Sequence, residues 1–207
     1  MGVQIMNYID SLNALIDKNG GYVTRREALQ NNVTDYYFQQ YIKEKSLRRI
    51  SEGVYCLPSY PLDSYFILQS RYPKAIFSHL SALYLNGLTD RIPDYLEVSV
   101  PNGYRIRKQD FSDLIIHKER NIHCLESYNE KAKTMFSHSV LSYGLEKSIV
   151  EMIRKRDAYD AEIFLKALRR YIKSKKRNDS LLYEYARLRH MEKEVYDIIE
   201  VVNDQQE

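Results

Sequence analysis

At Ser46 the spacing of apolar residues changes from helical to alternating, and that change closes a run of three helical stretches. Upstream, Tyr8, Ile9, Leu12, Leu15 and Ile16 recur at intervals of three and four, which predicts a helix over about 6–18. Asn19-Gly20-Gly21 ends it, because glycine tolerates the left-handed backbone of a helix stop. Tyr22-Val23 is short and extended. Thr24-Arg25-Arg26-Glu27 has the form of a capping box, in which hydroxyl and carboxylate each satisfy a free backbone N–H at the start of a second helix, about 25–30. Asn31-Asn32-Val33 turns the chain, and Thr34 is placed to cap a third helix over 35–45. Asp35 in its first turn and Lys43 and Lys45 in its last suit the helix dipole. Beyond Ser46, Leu47–Ser51 and Val54–Leu57 flank the turn signal Glu52-Gly53 and predict a hairpin, which Pro58 and Pro61 close. Helix, short helix, turn, helix and hairpin within sixty residues is the order of a winged helix-turn-helix.

That order carries chemistry suited to DNA. On the third helix Tyr37, Phe38, Tyr41 and Ile42 form the apolar face, while Tyr36, Gln39, Gln40 and Lys43 lie towards the other. Glutamine amides at Gln39 and Gln40 match adenine edges in the major groove. Arg25, Arg26, Lys45, Arg48 and Arg49 would flank the groove and hold phosphates, which position a protein without reading sequence. Tyr36 is expected at the DNA and Tyr41 in the core; Tyr37 fits either. From Thr24 to Ile50 there are six basic residues against three acids. The competing reading of such a module is a protein-interaction surface.

The remainder, 61–207, reads as a second domain. A helix is expected over Asp63–Arg71, an extended piece over Ala75–Ser78 and a helix from His79 to Asn86. Leu96–Val100 alternates as a strand, Pro101-Asn102-Gly103 turns, and Tyr104–Ile106, Leu114–His117 and Asn121–Leu125 are expected as further strands. This places a mixed sheet over about 75–125. From Tyr143 to Val202 four apolar stripes predict packed helices, interrupted by the polar stretch Lys175–Asp179, and 204–207 is expected to fray. The fold class is therefore α+β: a winged helix-turn-helix over 1–60, then a small sheet packed with a helical bundle.

No apolar run approaches the roughly 20 residues of a membrane span, and the N-terminus lacks a secretory pattern. Two cysteines are too few for a disulfide scaffold, so a cytoplasmic protein with no membrane partner is expected. The net charge is only +3, yet Lys166–Arg177 holds seven basic residues and no acid. Lys166, Arg169, Arg170 and Lys173 share one helix face by their spacing. That face reads as solvated, as a second DNA contact, or as a surface for a toxin or RNA.

Enzyme readings are weaker. Pro93-Asp94-x-x-Glu97-x-Ser99 is similar to a restriction-type nuclease core with Asp94 and Glu97 as metal ligands, but Ser99 stands where a lysine is needed. His79 would be a base or a buried histidine at a helix start. His117, His123 and Cys124 lack the paired spacing of a zinc site. There is no phosphate loop or dinucleotide fingerprint. No catalytic residue, metal or cofactor is expected.

An ordered set of motifs completes the reading: Gly20–Arg25, Arg49–Tyr55, Ala75-Ile76-Phe77-Ser78-His79-Leu80-Ser81-Ala82-Leu83-Tyr84, Gly87-Leu88-Thr89, Leu96–Pro101 and Gly144-Leu145-Glu146-Lys147-Ser148. Across nearly the whole chain the sequence resembles the AbiEi antitoxins of type IV toxin–antitoxin and abortive phage infection systems. The resemblance implies a bacterial autorepressor that binds inverted repeats in its own promoter. It also implies a C-terminal domain that counteracts a nucleotidyltransferase toxin of the AbiEii type without requiring a stable complex. The alternatives are a winged-helix nuclease using Asp94 and Glu97, and a ligand-sensing repressor with a metabolite pocket in the C-terminal part.

Overall fold

The capping box at Thr24 forms as the sequence predicts. In the computed structural model, which describes residues 2–107, 111 and 113–204, the Glu27 N–H donates to Thr24 Oγ1 and the Thr24 N–H donates to the Glu27 carboxylate. The chain is a mixed α+β protein with two sheets, and it divides into two compact units. The terminal residues 205–207, expected to fray, lie outside the described residues.

Unit 1 comprises Met1–Pro73 together with Lys133–Ser139, whereas the sequence places a boundary at residue 60. Its elements are α1 (Gly2–Lys18), β1 (Tyr22–Thr24), α2 (Arg25–Gln30), α3 (Asp35–Glu44), β2 (Arg48–Ser51), β3 (Val54–Cys56) and α4 (Ser64–Arg71). The strands make an antiparallel sheet in the order β1-β3-β2. The apolar stripe of α1 (Leu12, Leu15, Ile16) packs with Val23, Ala28, Phe38, Tyr41 and Leu47. Thr34 occupies the cap position of α3, but its side chain makes no capping bond.

A buried polar cluster ties unit 1 together. Asp63 caps α4 through Oδ1, which accepts the Tyr65 and Phe66 N–H groups. Its Oδ2 receives the Thr134 hydroxyl at 2.5 Å and lies 2.6 Å from His138 Nδ1, while His138 Nε2 donates to the Asn19 carbonyl at 3.0 Å. The His138 ring stacks on Phe66 and meets Tyr22 edge-on. Two glycines make room for this. Both have positive φ, and a Cβ on Gly20 would lie 2.8 Å from His138 Nε2, one on Gly21 2.4 Å from the Tyr60 ring.

Unit 2 comprises Lys74–Ala132 and Val140–Glu207. It is built on β4 (Ile76–Phe77), α5 (His79–Leu85), β5 (Leu96–Pro101), β6 (Leu114–Glu119), α6 (Ile122–Glu126), β7 (Asn129–Lys133) and β8 (Ser139–Tyr143). Four helices follow: α7 (Leu145–Arg154), α8 (Ala161–Ile172), α9 (Asp179–Leu188) and α10 (Glu192–Asp204). The sheet order is β6-β5-β4-β8-β7, with β5 and β6 parallel. Two expectations are corrected. Tyr104–Ile106 is not a strand, and Asn121–Leu125 leads into a helix, because the Asn121 side chain accepts the His123 and Cys124 N–H groups and caps it. Strands β7 and β8 are additions that the sequence pattern does not announce.

The four apolar stripes become α7 to α10, packed in one core that includes Leu145, Ile149, Leu168, Tyr171, Leu182, Tyr185, Val195 and Ile199. Helix α7 is buried on its polar side as well. Lys147 Nζ shares its three N–H groups among the Cys124, Leu125 and Ser127 carbonyls and Asn129 Oδ1, all at 2.6–2.9 Å, satisfying the end of α6. Burial pulls this ammonium down to about 7. Glu151, with no exposed surface, receives Arg154, Arg189 and the Tyr185 hydroxyl. Removing both arginines would strand this buried charge, at a cost of about 3–5 kcal/mol. Among the described residues no helix is long and apolar enough to cross a membrane.

Candidate nucleic-acid interface

The nine side chains assigned to DNA from the sequence, Arg25, Arg26, Tyr36, Gln39, Gln40, Lys43, Lys45, Arg48 and Arg49, are all exposed. The reason on α3 is its period. Phe38 and Tyr41 are buried, so positions 36, 39, 40 and 43 turn outward. Tyr41 lies in the core as expected, its hydroxyl donating to Asn13 Oδ1 at 2.6 Å, and burial pushes its ionisation up to about 12. Tyr37, left open by its spacing, is half-buried against Tyr8. Tyr36 is 65% exposed, and its hydroxyl accepts the Gln40 amide at 2.9 Å. Gln39 has no such partner among the described residues and is the freer reader of the two.

The cations differ from one another. Arg25 is bound through Nε to Asp35 Oδ1 at 2.7 Å, and a second guanidinium contact reaches Oδ2. The pair holds the Asp35 carboxyl below its usual range and offsets the charge of Arg25. Nothing in the sequence signals this, because the partners are ten residues apart. Among the described residues Arg26, Lys43 and Arg49 have no ion-pair or hydrogen-bond partner. Lys45 lies over the Tyr41 ring.

Arg48 and Arg49 leave β2 on opposite faces, because successive strand residues alternate. Arg49 stands opposite Tyr55, whose ring meets Phe38 of α3 edge-on. Cross-strand partners share a face, so Arg49 belongs to the side of the sheet that carries α3. Arg48 stands opposite Cys56, with its guanidinium 3.8 Å from the Cys56 sulfur, on the other side. The two arginines, alike in the sequence, are therefore separated by strand geometry.

The second basic run lies on α8. Arg170 is bound to Asp90, with Nη1–Oδ1 at 2.9 Å, and Lys166 is paired with Glu162. Arg169 and Lys173 have no partner among the described residues. With Asp90, Asp160 and Glu162 these residues line an open depression of about 510 Å³ of mixed charge.

Of the residues weighed for enzyme chemistry, Glu97, His117 and His79 lie together, whereas Asp94 and His123 are exposed. The Asp94 side chain is 80% exposed and faces Arg91, whereas Glu97 is buried, accepting the Leu80 N–H at 2.6 Å and lying 3.2 Å from His117 Nε2. A carboxylate so engaged is not paired with Asp94 for a metal. His123 is exposed and Cys124 buried, while His79 and His117 lie ring to ring at 4.0 Å. Among the described residues no three His, Cys, Asp or Glu side chains form a metal-binding group.

No family model matches this sequence, and no curated protein is similar to it. Among solved structures the chain is similar to the crystal structure of the RV2827C protein from Mycobacterium tuberculosis, with a TM-score of 0.54 at 12% identity, over 86% of this chain and 71% of that one. At that identity the likeness is one of fold.

Proposed function

We propose that this protein is a DNA-binding transcriptional repressor whose first sixty residues act as a winged helix-turn-helix on operator DNA. The observation that carries the reading is the outward row Tyr36, Gln39, Gln40 and Lys43 on α3, flanked by the exposed cations Arg26 and Arg49. Polar amides on an exposed helix with available cations beside it are what major-groove docking requires. The proposal extends to autoregulation at inverted repeats and to antagonism of a nucleotidyltransferase toxin by the C-terminal domain. That half rests on the resemblance to the AbiEi antitoxins alone.

Titration against the protein's own upstream DNA and a scrambled duplex at two salt concentrations tests the first half. Preference for the upstream DNA is expected, and no binding to either would sink it. Gln39→Ala should change which sequence is preferred, at a cost of roughly 1–3 kcal/mol in discrimination. The second half is tested by co-expression with the toxin, where growth must be restored by the full chain. The ligand-sensing alternative is favoured by a polar cavity in unit 2. The nuclease alternative has no such support, since Asp94 and Glu97 do not converge.

A further inference from the structure

The cavity in unit 2 is about 440 Å³ and draws its walls from residues distant in sequence. The β6 strand and its end supply Ile116 to Arg120, the end of α7 supplies Arg154 and Lys155, the cap residue of α9 is Arg189, and His79, Ser99 and Tyr143 complete it. Only Ile116 and the Tyr143 ring are apolar, so the space is unsuited to a greasy ligand.

Its charges are unbalanced. Arg154 and Arg189 share Glu151, and Arg189 also holds Glu119 at 2.7 Å, so the carboxylates here are already engaged. Lys118 and Arg120 have no partner among the described residues. Lys155 is bound to no carboxylate; its Nζ donates to His117 Nδ1 at 2.9 Å. That bond places the His117 proton on Nε2, which faces Glu97 Oε1 at 3.2 Å. Burial lowers the Lys155 ammonium from its usual range, as does Arg154 beside it. Arg120 and Lys155 thus stand at a polar cavity without a bonded carboxylate, Glu151 and Glu97 acting on Lys155 only at longer range, while Lys118 leaves β6 on the face opposite His117.

The wall also holds an unsatisfied group. His79 is 2% exposed, its Nδ1 is buried without a hydrogen-bond partner, and its backbone has a φ of +49°, a conformation that side chains other than glycine rarely adopt. Strain and an orphaned polar atom in one residue are features that structures retain at ligand sites.

We infer that this cavity binds a compact phosphate group, as inorganic phosphate or a small phosphate monoester, held by Arg120 and Lys155. A dianion adds counter-charge there, and its oxygens accept from the Lys155 ammonium and the Arg120 guanidinium. The polar walls exclude a ligand dominated by an aromatic base. This site is separate from the proposed DNA surface, and its test does not depend on DNA binding.

The full chain is titrated calorimetrically with inorganic phosphate and with glycerol phosphate, at constant ionic strength set by chloride, while the histidine ring nitrogens are followed by NMR. Saturable one-site binding that shifts the His79 and His117 ring signals is expected. Tighter binding of one compound identifies whether the free ion or the ester is held. Arg120→Ala, at an exposed position, and Lys155→Gln should each weaken binding at least tenfold, while Arg169→Ala leaves it unchanged. Non-saturable heats would overturn the inference. So would binding that survives both substitutions in a protein of unchanged circular dichroism.

Discussion

Two basic stretches, 24–50 around α3 and 166–177 at the end of α8, differ in what the fold does with their charge. On α3 and β2, Lys43 and Arg49 face solvent without partners among the described residues, and Arg25 nearby is tied down by Asp35. On α8, Arg170 is held by Asp90, eighty residues earlier in the chain, and Lys166 by Glu162. Three of the seven cations in 166–177, Lys166, Arg170 and Arg177, are tied to a carboxylate, against one of six, Arg25, in 24–50. Usable charge belongs to a surface, and the acids that decide it come from elsewhere in the sequence.

The largest expected effect follows directly. Lys43→Glu with Arg49→Glu should weaken DNA binding about a hundredfold at low salt, because repulsion then replaces attraction at each phosphate these side chains face. Arg169→Glu with Lys173→Glu should change it less than about threefold, since these cations are not among those proposed to face phosphates. Equal effects of the two double substitutions in a binding titration would erase the distinction.

The two units should also separate by pH. Burial of His79, with the nearby charges of Lys155 and Arg154, takes its imidazole from 6.5 down to about 2. The unfolded chain therefore binds a proton below pH 6.5 that the folded unit refuses, and stability falls as pH drops. Between pH 6.5 and about 5 unit 2 should lose about 2 kcal/mol, read from urea unfolding. His79→Gln should flatten that slope. A slope unchanged in the variant would mean that His79 is not its source.

Within β2 a smaller contrast is expected. Arg49→Ala should flatten the salt dependence of DNA binding by about one unit, since it stands on the α3 side, and Arg48→Ala should leave it nearly unchanged. Reversed results would mean that the wing approaches DNA by its other face. The smallest effect is a gain: Asp90→Asn frees Arg170 and should strengthen non-specific DNA binding by no more than about twofold, for one exposed charge in screened solvent.

How much of this is legible in the sequence varies with how local the signal is. The cap at Thr24, the faces of α3 and the stripes of α7 to α10 are written in neighbouring residues, and the period alone places them. Strand β7, Asn-Glu-Lys-Ala-Lys, escapes a pattern reading because an edge strand with mostly exposed side chains has no apolar alternation to read. Helix α6 reads as a strand in sequence, yet its cap, Asn121, outweighs the β-branched residue that follows it. The exposed row of the candidate DNA surface comes from periodicity; the neutralisation of Arg25 does not, being tertiary. The phosphate cavity has no local signature, since His79, His117, Lys155 and Arg189 meet only once the chain has folded.

The cluster around Asp63 has a consequence for synthesis. Its partners Thr134 and His138 arrive only after residues 74–132, which belong to the other unit, have been made. At roughly 5–20 residues per second the emerging first unit waits several seconds on the ribosome with a buried carboxylate and the Asn19 carbonyl unanswered. A nascent chain cannot complete its own N-terminal unit until the segment 133–139 has left the exit tunnel, so that unit reaches its final form late in translation.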